Sequence, residues 1–102
     1  MKKKRKRYVR FRLHMTGPVV SGKQLSTAIR TSMLSIYGEV TVADSRFFLN
    51  DYDEASGHGI LQCSADLLEK VITSAVLLAS VETTQVSFEP IKTSGTIRAV
   101  RR

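Results

Sequence analysis

The stretch GPVVSGKQ, residues 17–24, lies between a run that alternates like a strand (YVRFRLHM, residues 8–15) and one with helical spacing (LSTAIRTSMLSIYG, residues 25–38). It differs at a single position from the phosphate-cradling pattern G-x-x-x-x-G-K-[ST]. In that pattern two glycines bring backbone N–H groups onto the phosphates, the lysine reaches the terminal phosphates, and a final hydroxyl holds magnesium. Here the final place is Gln24. A nucleotide-binding reading at Gly17 to Gln24 would require a parallel sheet with crossover helices on both faces. The chain offers too few helices for that. Ser21 and Gln24 instead have the spacing of a capping box, in which each side chain satisfies an otherwise orphan donor at a helix start. Gln24 therefore has a structural role, and the surrounding elements decide the fold.

Upstream, Val9, Phe11, Leu13 and Met15 alternate with Tyr8, Arg10, Arg12 and His14, the pattern of a half-buried strand. Downstream, Leu25, Ala28, Ile29, Met33, Ile36 and Tyr37 recur at helical spacing, and Gly38 is expected as a left-handed C-terminal cap. Two β-rich runs follow, Val42 to Tyr52 and His58 to Cys63, joined by an acidic, glycine-containing turn and read as a hairpin. Ser64 is expected to cap a second helix, ADLLEKVITSAVLLAS, whose apolar face carries Leu67, Leu68, Val71, Ile72, Ala75, Leu78 and Ala79. The run TTQVSFEPI alternates as a last strand. The order β-α-β-β-α-β predicts an α+β, ferredoxin-like (split βαβ) two-layer sandwich, with a four-stranded antiparallel sheet and two helices on one face. The other face would be open and would show Tyr8, Arg10, Arg12 and His14, to bind a protein partner or to hold RNA by charge and shape, with the terminal arms supplying phosphate contacts. Two look-alikes are set aside: VTVAD lacks a parallel sheet to support it, and DYDEASG has Ala55 where a calcium loop needs an oxygen ligand.

The chain has 102 residues and one cysteine, Cys63, which suits a single domain, a buried thiol and a reducing, cytoplasmic setting. No apolar run is long enough to span a membrane, and the basic start leads straight into a charged strand. The net charge of +7 is terminal: residues 2–12 carry eight basic side chains and residues 92–102 four, whereas residues 13–91 carry four basic and nine acidic groups. Such blocks are solvated arms that attract polyanions, nucleic acid or an anionic surface, where they are not simply a solubilising tail or a localisation signal. Residues 1–7 are expected to form a flexible basic arm and residues 8–102 a single domain. No nucleophile, acid/base pair or metal-ligand cluster stands out, and His14 and His58 are isolated. Aromatic stacking of bases on the third strand is not expected either, since HGILQC has no aromatic residue.

The C-terminal KTSGTIRAVRR is the most distinctive stretch. With RYVRFRL, LSTAIRTSMLSIYGE, GHGILQC and LEKVITSAVLL it resembles, over nearly the whole chain, the Pop-five/Rpp-fourteen family, the archaeal component 2 of ribonuclease P. Ser94-Gly95-Thr96-Ile97-Arg98 carries the most specific part of the likeness. The resemblance implies a ferredoxin-like protein that joins ribonuclease P RNA, the catalyst that removes the 5′ leader of precursor tRNA. It also implies pairing with ribonuclease P protein component 3, self-association in the complex, and magnesium held by the RNA instead of the protein. Candidate RNA contacts are Lys2, Lys3, Lys4, Arg5, Lys6, Arg7, Arg10, Arg12, Lys23, Lys92, Arg98, Arg101 and Arg102, with no catalytic or metal-binding residue. The alternative is another ribonucleoprotein or ribosome-associated RNA-binding module.

Overall fold

A computed structural model describes residues 5–102. Its central strand β1 (Lys6–Thr16) is flanked by antiparallel partners on both sides. With β2 (Phe48–Tyr52), β3 (His58–Ser64), β4 (Ser80–Val81) and β5 (Thr84–Ser94), the sheet order is β2-β3-β1-β5-β4. The alternation in β1 acts as its pattern demands: Val9, Phe11 and Leu13 are at most 1% exposed and form one side of the core. The strand starts ahead of that alternation, because Lys6 and Arg7 already pair with Ser64 and Cys63. Phe11 stacks on Phe88 with ring centroids 4.7 Å apart, and a Cβ on Gly59 would lie 2.6 Å from its Cζ. The glycine of GHGILQC thus makes room for an aromatic ring. Gly57, at φ 80°, closes the β2–β3 turn where a Cβ would come 2.1 Å from the Leu13 carbonyl oxygen. Only glycine fits there.

The helical layer supplies the other side of the core. Helix α1 (Gly22–Tyr37) buries Leu25, Ile29 and Met33, and the expected capping box is present: the Ser21 N–H donates to Gln24 Oε1 at 2.9 Å, and the Gln24 N–H donates to Ser21 Oγ at 3.1 Å. Gly38 ends the helix at φ 91° and ψ 175°, a positive φ outside the left-handed helical region.

Further expectations need correction. The Val42 to Tyr52 run is not one strand: Glu39–Ser45 forms a helix, α2, and only Phe48–Tyr52 is extended. Valine's preference for strands yields to packing, since Val42 lies against the core. The buried Ser45 Oγ donates to the Val42 carbonyl, and Arg46 in the left-handed region turns the chain out.

The second helix is also shorter than expected. Ser64 precedes a 3-10 turn, Ala65–Leu67, without capping it through its side chain, and α3 covers Leu68–Val76. Leu78 and Ala79 lie beyond that helix, and the Ala79 carbonyl accepts from Val86 N–H at 3.0 Å as the chain enters β4. That hairpin, turning at Glu82 with φ 55°, makes the sheet five-stranded rather than four-stranded.

Finally, the second sheet face is partly roofed. Residues Ile97–Arg101 form a short helix, α4, packed on β1 and β5. Thr96 caps it by accepting from the Ala99 N–H at 3.2 Å, and Ser94 Oγ accepts from the Thr96 N–H at 3.4 Å. Val100 and Ile60 are both buried, yet neither belongs to the main core. Val100, fully buried on α4, accounts for the apolar pair three residues apart, Ile97 and Val100, that follows the cap.

Candidate nucleic-acid interface

Strand register places Arg10 and Arg12 of β1 and Lys92 of β5 on the face that α4 crosses, whereas Arg7 is paired with Cys63 of the core side. Arg10 stands opposite Ile60 on one neighbour and Lys92 on the other, while Arg12 stands opposite His58 and Glu89. His14 faces Ser87, and Tyr8 faces Gln62 and Ser94. Directly paired residues share a face, so these side chains form one surface. Helix α4 adds Arg98 and Arg101, and the Lys92 Nζ donates to the Arg102 carbonyl oxygen at 3.4 Å, which holds the C-terminal residue over the same rows.

Acidic groups punctuate this surface. Arg101 forms an ion pair with Asp51 of β2, and His14 Nε2 meets Glu89 Oε1 at 2.7 Å. Both pairs are solvent-exposed and contribute little stability, about 0–1 kcal/mol each. Arg98 is exposed and in no ion pair among the described residues. Arg10 is partly buried, and its Nε has no hydrogen-bond partner among the described residues. Leaving a buried donor unpaired costs about 1–3 kcal/mol. Arg10 borders a groove with Asp51, Asp53, His58 and Ile60 of the β2–β3 hairpin.

The remaining candidates divide. Arg5 and Lys6 are exposed at the leading end of β1, and Arg7 Nη1 donates to the Lys6 carbonyl at 3.4 Å. A Cβ on Gly95 would come within 3.0 Å of that same Nη1, so the glycine lets Arg7 lie against the β5–α4 corner. Lys2, Lys3 and Lys4 lie outside the described residues, as does most of the expected arm. Lys23 stands apart from the rest, on α1 in the opposite layer, beside Thr27, Leu78 and Glu82. Its loop is no phosphate cradle. Pro18 has no N–H, and the N–H groups of Ser21 and Gln24 are taken by the capping box. The Pro18 carbonyl accepts from Thr84 Oγ1, tying the loop to β5.

Beyond the end of α4 the same face opens into a cleft of about 570 Å³ bordered by Arg12, His14, Ser56, Gln85 and Ser87. Among the mid-chain cations, Arg30 lies 5.3 Å over the Phe47 ring and donates to the Phe47 carbonyl, and Lys70 lies 5.3 Å over Tyr37. They serve the fold. Asp53 accepts from Ala55 N–H and Ser56 Oγ, so its carboxylate organises its own turn. What the sequence reading missed is α4 itself and the Asp51 partner of Arg101. Thr96 followed by Ile97 and Val100 was the available signal, a cap and an apolar pair at helical spacing.

Known proteins resemble this chain over nearly its full length. Ribonuclease P protein component 2 of Archaeoglobus fulgidus is 33% identical over 96% of this chain and 86% of its own. The proteins of that name from Aeropyrum pernix and Pyrococcus furiosus are 28% and 26% identical, covering 96% of this chain and 80% and 81% of theirs. A chain in the cryo-EM structure of yeast ribonuclease MRP superposes with a TM-score of 0.73 over 94% of this chain and 78% of its own at 7% identity, a likeness of fold. The profile of the Rpp14/Pop5 family matches residues 7–102, and the chain belongs to that family.

Proposed function

We propose that the chain is an RNA-binding protein subunit of ribonuclease P, which supports the catalytic RNA in removing the 5′ leader of precursor tRNA. The observation that carries the reading is the gathering of Arg10, Arg12, Lys92, Arg98, Arg101 and Arg102 on one sheet face by β1, β5 and α4. Guanidinium groups suit phosphate because each presents parallel donors in a planar fork. The long strands run β2-β3-β1-β5, which supports a ferredoxin-like core with β4 and α4 as additions. The opposite layer, α1 and α3, is the surface left for the protein partner expected from the family, ribonuclease P protein component 3. We assign the chemistry and its magnesium to the RNA, in the cytoplasm. The surface residues offer positive charge and hydrogen-bond donors, not a nucleophile held by a base.

The test is reconstitution. Purified protein should leave precursor tRNA intact and should raise cleavage when added to ribonuclease P RNA with component 3. Leader removal by RNA-free protein, lost on replacing one of its own carboxylates or histidines, would overturn the assignment of chemistry to RNA. Failure to bind or stimulate the RNA at all would remove the reading.

A further inference from the structure

The cleft beyond α4 differs in charge from the surface beside it. Around α4 the balance is strongly positive, with Arg10, Lys92, Arg98, Arg101 and Arg102 against Asp51. In the cleft, Arg12 is balanced by Glu89, which stands opposite it in the strand register and holds the His14 ring at 2.7 Å. The first surface favours phosphate. The second has no excess of positive charge, since Asp53 behind Ser56 adds a further carboxylate to Glu89, and it is bordered by polar side chains, which disfavours phosphate and suits an uncharged, planar, hydrogen-bonding group.

The Glu89 contact also fixes the imidazole. As a carboxylate, Glu89 accepts from Nε2–H, which leaves Nδ1 of the neutral ring as an acceptor. Gln85 supplies a carbonyl and an amide, Ser87 supplies a hydroxyl, and Arg12 offers a planar cation on which a ring can stack, while the Ser56 hydroxyl is engaged by Asp53 and the His58 N–H. The volume of about 570 Å³ lies within the roughly 300–1,000 Å³ of small-molecule pockets.

We propose that this cleft receives one unpaired nucleobase of an RNA strand whose phosphates run along α4. The inference rests on the RNA-binding reading above and deepens it: the protein contacts single-stranded RNA at this end of the sheet, with base and backbone recognised by separate groups. A strand leaving the α4 cations meets Arg12 next, since β1 carries Arg10 and Arg12 on the same face toward His14. No aromatic platform is needed. Arginine and histidine planes replace it.

The two kinds of contact respond differently to salt. A phosphate contact releases counterions and contributes about 0.7 to the slope of log affinity against log salt for single strands, whereas a base contact contributes none. The probe is an unstructured ten-nucleotide RNA, compared with the same backbone carrying abasic riboses, titrated with the full chain at several salt concentrations. Gln85→Ala and His14→Ala should each weaken binding of the intact oligonucleotide about tenfold at every salt concentration, with an unchanged slope and unchanged Tm. The abasic oligonucleotide should bind wild type and both variants alike. Arg98→Ala should weaken both oligonucleotides and flatten the slope. If Gln85→Ala and His14→Ala bind the intact oligonucleotide as wild type does while Arg98→Ala does not, the base cleft is refuted and the RNA-binding reading stands. A flattened slope in the cleft variants would make it a phosphate site, also against the proposal. A wild-type chain that binds neither oligonucleotide nor ribonuclease P RNA would sink both.

Discussion

Cys63 shows how one side chain reports on its surroundings. It is buried in the main core, and burial pushes its thiol from 9.0 up to about 11. In the unfolded chain the thiol would lose its proton near the lower value, in the folded chain only near the higher one. The contribution to stability is therefore complete below about pH 9 and lost as pH rises toward about 11. Alkaline unfolding should accordingly steepen across that window, and Cys63→Val should make the decline shallower. The same burial makes the thiol unreactive at neutral pH. Iodoacetamide should leave the native protein unmodified and label it fully in urea; rapid labelling without denaturant would show that the core at this position opens.

At the level of elements, α1 and α4 are started in related ways and can be tested in parallel. Ser21→Ala removes the hydroxyl that accepts the Gln24 N–H and should lower stability by about 0.5–2 kcal/mol in denaturant titration. Val100→Ala removes two methyl groups from a fully buried position on α4 and should cost about 1–3 kcal/mol. Unlike Ser21→Ala, it should also weaken RNA binding, because α4 carries Arg98 and Arg101. Equal effects of both variants on RNA affinity would separate α4 from the binding surface. The two elements also differ in how far the sequence revealed them. The capping box, the apolar stripe of α1 and the alternation of β1 are local signals, and each appears where its pattern placed it, except that Ile36 at the end of the stripe is exposed. The helix α2 was hidden because Val42 favours strands and only its contact with the rest of the core overrules that preference. The Glu82 turn that creates β4 uses a positive φ without a glycine to announce it. For the candidate interface, charge located the cations and the alternation of β1 put Arg10 and Arg12 on one face, but only strand register adds Lys92 to it, and only the fold sets Lys23 in the opposite layer.

For the whole molecule, affinity for RNA should track the number of phosphates engaged. Arg98→Lys keeps the charge but loses the forked donor pair. It should lower the activity of the reconstituted RNA–protein complex several-fold without changing the melting temperature, measured by precursor cleavage beside a thermal scan. Unchanged cleavage would place Arg98 outside the contact. One feature of the sheet bears on how the protein forms at all. The ladder between β1 and β5 joins Tyr8 to Ser94 and continues to Thr16 and Gln85, so the middle strand of the sheet is completed by residues from near the far end of the sequence. Bringing such distant segments together has an entropic cost before any contact compensates it, which slows folding. Stopped-flow refolding should therefore fall in the range of about milliseconds to seconds, slower than a helical bundle of the same length. Mutations that disturb the β1–β5 pairing should slow refolding more than those in the β2–β3 hairpin, whose strands are close in sequence, if closure of the long ladder is the limiting event.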